Sequence, residues 1–180
     1  MGTIRENKPA CLFVGILTAF PDLLPRAEEL ISSHIGKVAE RSELFPFSAT
    51  HYYDAEMGSP LVRQFVGLDG LFDPESLPSV KRVANELESL VASEDLGVMR
   101  PVNLDPGYLD EAKVVLASTK DFMHRILLAR GIYAEVTLHY EHGEWRAFPW
   151  TFPDFRTGLY FPFFCSLRRR HRTTLGRATA

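Results

Sequence analysis

Cysteine is scarce: two in 180 residues, both in apolar surroundings, ACLFVGIL around Cys11 and FPFFCSL around Cys165. Such a pair reads as buried thiols of a reducing compartment, with a disulfide between them open but unforced. Long apolar runs are missing as well. No stretch approaches the roughly twenty residues of a membrane span. The opening MGTIRENKPACLF lacks an apolar signal core with a cleavage site, and after Met1-Gly2 the Ser or Thr of a myristoylation signal is absent. A cytoplasmic location is therefore expected. Nor is there an excess of either charge: 20 basic against 23 acidic residues give a net charge of −3, with a pI near 6.1. No global field favours nucleic acid or an anionic membrane. GxxxxGK[ST], C-x-x-C, H-E-x-x-H and G-x-S-x-G are all missing, so the P-loop, zinc and hydrolase templates fail.

What is present suits one domain. Hydrophobic residues make up 46% and charged residues 24%, enough apolar material for a sizeable core. Residues 10–18, ACLFVGILT, form a continuous apolar run and predict a strand buried on both faces. Pro21-Asp22 opens a helix to about residue 35, with Leu23, Leu24, Ala27, Leu30 and Ile31 at helical spacing and Gly36 as its cap. Residues 37–47 predict a second strand, 49–60 a loop, and 61–72 a third strand with Leu61, Arg63, Phe65 and Gly67 on one side. A helix follows over 74–92, ended by Ser93, Glu94 and Asp95, and then a strand over 98–104. That order predicts an α+β single domain with a ferredoxin-like β-α-β-β-α-β core. A short strand or helix at 113–117, a further helix and a C-terminal β-hairpin across EHGE extend the core. The domain is expected to span 9–165, with 166–180, basic and poor in apolar groups, as a flexible tail.

The stretch NLDPGYLDEAKVVLASTKDFMHR, residues 103–125, concentrates candidate chemistry. Asn103, Asp105, Pro106 and Gly107 are strong turn formers. Ser118, three residues before Asp121, has the spacing of a capping box, which predicts a helix closed by Gly131. A helix start offers free N–H groups to an anion. Ser118, Thr119, Lys120 and, a turn later, His124 would complete a phosphate cradle, with Arg125 as a bidentate partner. A solvated helix face explains the same spacing. In GIYAEVTLHY, strand alternation puts Tyr133, Glu135, Thr137 and His139 on one face, and a mid-strand carboxylate needs a partner if buried. THYYDAEMG places Thr50, Tyr52, Tyr53 and Glu56 in a loop that reads as a pocket wall or a core edge. FPWTFPDF holds Thr151 and Asp154 between stiffening prolines. Metal ligation by Asp105, Glu135, Asp154 and His124 is not demanded by any spacing.

Taken together, FPF..T.YY..EMG, NLDPGYL...K.VLASTKDF.HRI, GIYAEVTL.Y and PWTFPDF resemble a bacterial family of uncharacterised proteins of about this length. The likeness spans roughly residues 9–170. Some members carry the label "GTP-binding protein". STKD sets Asp121 directly after Lys120, however, where the guanine-reading element keeps a residue between them. The resemblance attaches no role to the matching positions.

The residues predict a binder of a phosphorylated small molecule or nucleotide, extended to hydrolysis or group transfer. Lys120, His124 and Arg125 would hold the anion. Glu135 or Asp105 would act as base or metal ligand, and Tyr52 and Tyr53 as wall. Imidazoles titrate near neutrality, so His124 suits proton transfer. The competing reading is a non-catalytic RNA- or protein-binding module using the tyrosine loop and Arg168, Arg169, Arg170 and Arg172. No cofactor is specified by these patterns.

Overall fold

The computed structural model describes residues 2–4, 6–50, 52–92 and 96–178. Its strands are β1 (Cys11–Thr18), β2 (Val38–Arg41), β3 (Phe45–Phe47), β4 (Leu61–Leu68), β5 (Val102–Leu109), β6 (Lys113–Ser118), β7 (Ile126–Ala129), β8 (Ile132–Glu141) and β9 (Glu144–Ala147). The helices are α1 (Leu24–His34), α2 (Asp54–Met57), α3 (Leu77–Ala92), α4 (Pro153–Arg156) and α5 (Phe161–Ala178). All nine strands join one antiparallel sheet in the order β2-β4-β1-β5-β6-β8-β7, with β3 also on β4 and β9 also on β8. The fold is therefore α+β.

Both faces of the sheet are covered. Along β1, Leu12, Val14 and Ile16 face α1 and α3, together with Val66, Leu68, Val102 and Leu104. Cys11 and Phe13 face the other way, into the cluster of Phe155, Tyr160, Phe163, Phe164 and Leu167 of the C-terminal segment. This explains the unbroken apolar run of β1, every residue of which is buried. Each fully buried phenylalanine stabilises the fold by about 1.5–3 kcal/mol through leaving water.

Several expectations give way here. The turn formers at 103–107 lie inside β5, which pairs with β1 from Val102 through Leu109. Tertiary pairing overrides the local preference, and two details make it tolerable. Gly107 lies so close to β6 that a Cβ would meet the Val115 carbonyl oxygen and come within 2.7 Å of the Phe13 ring. Pro106, which has no N–H to offer, stands just where the β6 ladder ends, because β5 and β6 pair only from Gly107↔Leu116 to Leu109↔Val114. The strand expected over 98–104 thus runs later.

The helix expected from Ser118 is absent. The chain turns through 119–125 and enters β7. Arg130 and Gly131 both adopt positive φ, 51° and 78°, and close a β7–β8 hairpin. A helix cap and a two-residue hairpin both want a left-handed residue, so the glycine alone did not choose between them. Gly143 does take positive φ in the β8–β9 turn as expected, with His142 beside it. Residues 37–47 form two short strands on β4 rather than one. Gly36 is not in the left-handed region; helix α1 ends instead on an αR cap at Ile35. The tail expected at 166–180 is helical through Ala178, with Leu167 and His171 buried. Ser93, Glu94 and Asp95, expected to end α3, lie outside the described residues.

Neither cysteine is bridged. Burial pushes the Cys11 thiol from 9.0 to about 11, against the pull of Arg170. A group raised in the folded state stabilises fully below its unfolded value and loses that contribution as pH climbs to the folded one. Stability should therefore fall by about 1.4 kcal/mol per pH unit between pH 9 and about 11. Urea midpoints across that range test it: Cys11→Ala should flatten the slope, and an unchanged slope would acquit the thiol. Among the described residues, no helix is long and apolar enough to cross a membrane.

Candidate functional site

Past Gly107 the strands β5 and β6 separate, and the sheet forks. The outer edge of β5 then has backbone groups with no strand to meet them, which would be costly if left unpaired. Two side chains of α3 take the place of the missing strand. Glu88 accepts from the Leu104 N–H at 2.8 Å, and Lys81 Nζ donates to the Leu104 carbonyl at 2.7 Å. Lys81 also reaches Asp105 Oδ1 at 3.5 Å. Lys81 belongs to the buried row Leu77, Lys81, Ala84, Leu87, Val91, in which it is the charged exception.

The fork opens a cavity of about 670 Å³, within the size range of small-molecule sites. Its β5 side carries Asn103 and Asp105, and its β6 side carries Ser118, Thr119 and Lys120. Tyr52, Tyr53 and Thr50 form one rim, Phe122 and Arg125 another, and Phe152 a third, with buried Asp154 deeper beside Arg63. Arg63 of β4, in the sheet beneath, completes the floor.

The Arg125–Glu135 pair organises the β6–β8 wall. Arg125 Nε donates to Glu135 Oε2 at 2.8 Å, with only 4% and 1% of the two side chains exposed. Its Nη1 donates to Ser118 Oγ at 2.7 Å and to the Lys120 carbonyl at 3.0 Å. One guanidinium thus fixes the whole loop from 118 to 125. Ser118 Oγ also accepts from the Lys120 N–H at 3.1 Å, a local turn in place of the expected capping box. His124 Nε2 shares Glu135 Oε2 at 3.1 Å, and its ring lies between Phe122 and Trp150, 6.0 Å from each. It is outside the cavity lining.

Glu135 points into the fork because of a register shift. Val114 opposes Leu138 while Val115 opposes Val136, so Thr137 is an extra residue on β8. Glu135, opposite Leu116, therefore shares a face with Leu138 rather than with His139. The strict alternation expected through Tyr133, Glu135, Thr137 and His139 breaks at this bulge. Thr151 holds it: its Oγ1 donates to the Thr137 carbonyl at 2.6 Å and accepts from Phe148 N at 2.8 Å. Thr151 thus packs behind the wall, not in the cavity. Glu56 is also set back, in an ion pair with Arg100 at 3.0 Å.

Charges in the cavity are mostly neutralised in place. Burial works against the Asp105 charge, but Lys81 and Arg63 outweigh it and hold its carboxyl below the ordinary value. Burial pushes Glu88 up, despite Lys81. Burial also pulls Arg63 down, and Asp154 and Asp105 overcome it to leave the guanidinium pKa raised. Lys120 differs. Among the described residues it has no carboxylate partner, only the Tyr52 hydroxyl at 3.3 Å and the face of that ring at 4.6 Å.

The separate residues of the sequence thus meet in one hollow, with His124, Glu56 and Thr151 in support. Asp105, Glu135, Asp154 and His124 do not gather as ligands: no cluster of three or more metal-binding side chains occurs among the described residues. Arg63, Lys81, Glu88 and Arg100 were not singled out by sequence reasoning. The available signal was a charged residue in an inward row, Arg63 between Leu61 and Phe65, and Lys81 between Leu77 and Ala84. The basic C-terminal residues are largely turned onto their own chain. Arg168 stacks over Tyr140 at 3.7 Å, Arg170 pairs with Glu40 at 3.3 Å, and Arg172 with Glu111 at 3.3 Å.

These features define an α+β protein with a charged, ligand-sized cavity in a forked antiparallel sheet. The chain belongs to the family described as Domain of unknown function (DUF4416), whose model matches residues 8–171. Neither the curated proteins nor the solved structures contain a match.

Proposed function

We propose that this protein binds a phosphorylated small molecule or nucleotide in the fork between β5 and β6. The carrying observation is Lys120, an ammonium without a carboxylate partner among the described residues, at the rim of a cavity whose other charges are paired. The Ser118 and Thr119 hydroxyls beside it suit phosphoryl oxygens, and Tyr52, Tyr53 and Phe122 offer rings for stacking. In this reading Glu135 positions Arg125 and His124. Its Oε2 accepts from both, and Oε1 takes a longer contact from Thr137 at 3.4 Å, which leaves little of the carboxylate for a base. Asp105, in the floor and held low by Lys81 and Arg63, is the better placed base for hydrolysis or group transfer on such a ligand. The strand order β2-β4-β1-β5, with α1 and α3 on one face, supports a ferredoxin-like core beneath the site.

A thermal-shift screen of nucleotides and phosphorylated metabolites, with and without divalent metal, tests the reading. A true ligand at a hundred times its Kd should stabilise the folded chain by about 2.7 kcal/mol. A well-folded sample stabilised by none of them would remove the proposal. The RNA- or protein-binding alternative draws less support, because Arg168, Arg170 and Arg172 are engaged within the chain.

A further inference from the structure

Arg63 is the least satisfied group in the cavity. Its side chain is 7% exposed, yet no described residue accepts a hydrogen bond from it. Nη1 stands 3.6 Å from Asp154 Oδ2 and Nη2 stands 3.9 Å from Asp105 Oδ2, both beyond hydrogen-bond length. Nε is sealed and unpartnered. The Phe47 ring lies 4.9 Å below the guanidinium. Buried donors left without acceptors are costly, and a guanidinium more so than a neutral group.

Its surroundings are acceptors in search of donors. Asp154 Oδ2 takes the Tyr160 hydroxyl at 3.1 Å, while Oδ1 takes no hydrogen bond from a described residue. Asp105 Oδ2 takes Asn103 Nδ2 at 2.7 Å. The floor thus sets unused donors between two carboxylates. Four acids (Glu56, Glu88, Asp105, Asp154) stand around three cations (Arg63, Lys81, Arg100) there, Arg100 being paired with Glu56 at 3.0 Å and bonded to Asn103 at 3.2 Å, whereas Lys120, with no carboxylate partner among the described residues, stands at the exposed rim. An anion driven to the floor would meet more repulsion than attraction, and an anion at the rim would meet Lys120.

We infer that the cavity orients its ligand end to end, resting on the reading above. The phosphoryl group sits at the rim against Lys120, Ser118 and Thr119. A neutral head sits on the floor, its acceptor on Arg63 and its flanking N–H or O–H donors on Asp154 and Asp105. An acceptor beside a donor is the chemistry of a nucleobase edge, and an acceptor with a donor on each side is that of a sugar's hydroxyls. Arg63, Asp105 and Asp154 are therefore the residues that set specificity, and Lys120 the one that senses phosphorylation.

Titration calorimetry distinguishes the outcomes. Wild type, Lys120→Ala and Asp154→Asn are titrated with nucleoside 5′-monophosphates, the matching nucleosides, ribose 5-phosphate and inorganic phosphate. Lys120→Ala should weaken the phosphorylated compounds about tenfold and leave the nucleosides unchanged. Asp154→Asn, which keeps the shape and the Tyr160 contact, should weaken phosphorylated and unphosphorylated heads alike by about tenfold, and leave inorganic phosphate unaffected. Binding by monophosphates but not ribose 5-phosphate assigns a base to the floor; the reverse assigns a sugar. Tighter binding of phosphate or of the monophosphates to Asp154→Asn would put the anion on the floor and overturn the orientation. So would an equal loss of nucleoside and nucleotide in Lys120→Ala. If Asp154→Asn does not fold, the surface variants Lys120→Ala and Lys120→Glu decide by themselves. Phosphorylated ligands bound without the Lys120 signature would sink this inference alone. Wild-type binding of none of the four probe classes would overturn it together with its premise.

Discussion

Arg125→Met is expected to unfold about 3–5 kcal/mol more easily than the parent chain, because the change leaves a buried carboxylate without its guanidinium and with only the His124 imidazole beside it. Glu135 has 1% of its side chain exposed and receives the Arg125 guanidinium at 2.8 Å. Methionine fills a similar volume, so packing alone would cost far less. The penalty belongs to the stranded charge. The double variant Arg125→Met, Glu135→Leu should recover much of the loss, since removing both members of a buried pair is often close to neutral. It should not recover the loop: Arg125 also ties Ser118 Oγ and the Lys120 carbonyl. The double variant should therefore stay folded and still bind poorly. Urea unfolding reads the first effect and calorimetry the second. A single variant within about 0.5 kcal/mol of the parent would mean that the pair is incidental.

Lys81→Met should cost about 3 kcal/mol by a different route. It orphans the Leu104 carbonyl, bonded at 2.7 Å, and removes the cation next to Asp105 and Glu88. Lys81 and Glu88 together replace a missing strand, so their substitutions should not add. A cycle with Glu88→Gln is expected to depart from additivity by more than 0.5 kcal/mol, whereas contact-free sites agree within about 0.3–0.5 kcal/mol. The acid limb gives a second handle. A carboxyl lowered in the folded state contributes stability above its unfolded value and loses it as pH falls through the folded one. Asp105 is held low in part by Lys81, so Lys81→Met should lose less stability than the parent on acidification. An acid profile parallel to wild type would deny that coupling.

The parts legible in the sequence were those in which periodicity and tertiary demand agree. β1 is buried at every position because both of its faces are covered, and α1 and α3 carry stripes that meet a sheet. The EHGE hairpin needs a positive φ at Gly143 and has it. The failures share a cause: local preference overruled by distant partners. Asn-Leu-Asp-Pro-Gly reads as a turn, yet eight residues of β1 hold it extended. The Ser118–Gly131 segment has helix punctuation, yet Arg130 and Gly131 turn it into a hairpin that pairs with β8. α5 looks like a basic tail because its arginines hide a stripe. Phe163, Phe164, Leu167 and His171 are buried at helical spacing, and the arginines find acids and a tyrosine on other elements.

The site divides along the same line. Ser118, Lys120 and Arg125 were recognisable as a local cluster, and Glu135 as a carboxylate needing a partner. Their meeting was a statement about long-range pairing that β6 and β8 satisfy. The mechanism expected for that meeting, a helix N-terminus, is replaced by a guanidinium that braces a loop. Arg63 and Lys81 stayed hidden because inward charged residues become informative only when the groups opposite them are known.

The most direct measurement is a crystal structure of the complex with the phosphorylated compound that raises the unfolding temperature most. The account expects ligand density between β5 and β6, with phosphoryl oxygens within hydrogen-bond reach of Lys120 Nζ and the Ser118 or Thr119 hydroxyl. A phosphoryl group in the fork but away from Lys120 would overturn the orientation alone; density on the outer surface, with the fork empty, would contradict the account.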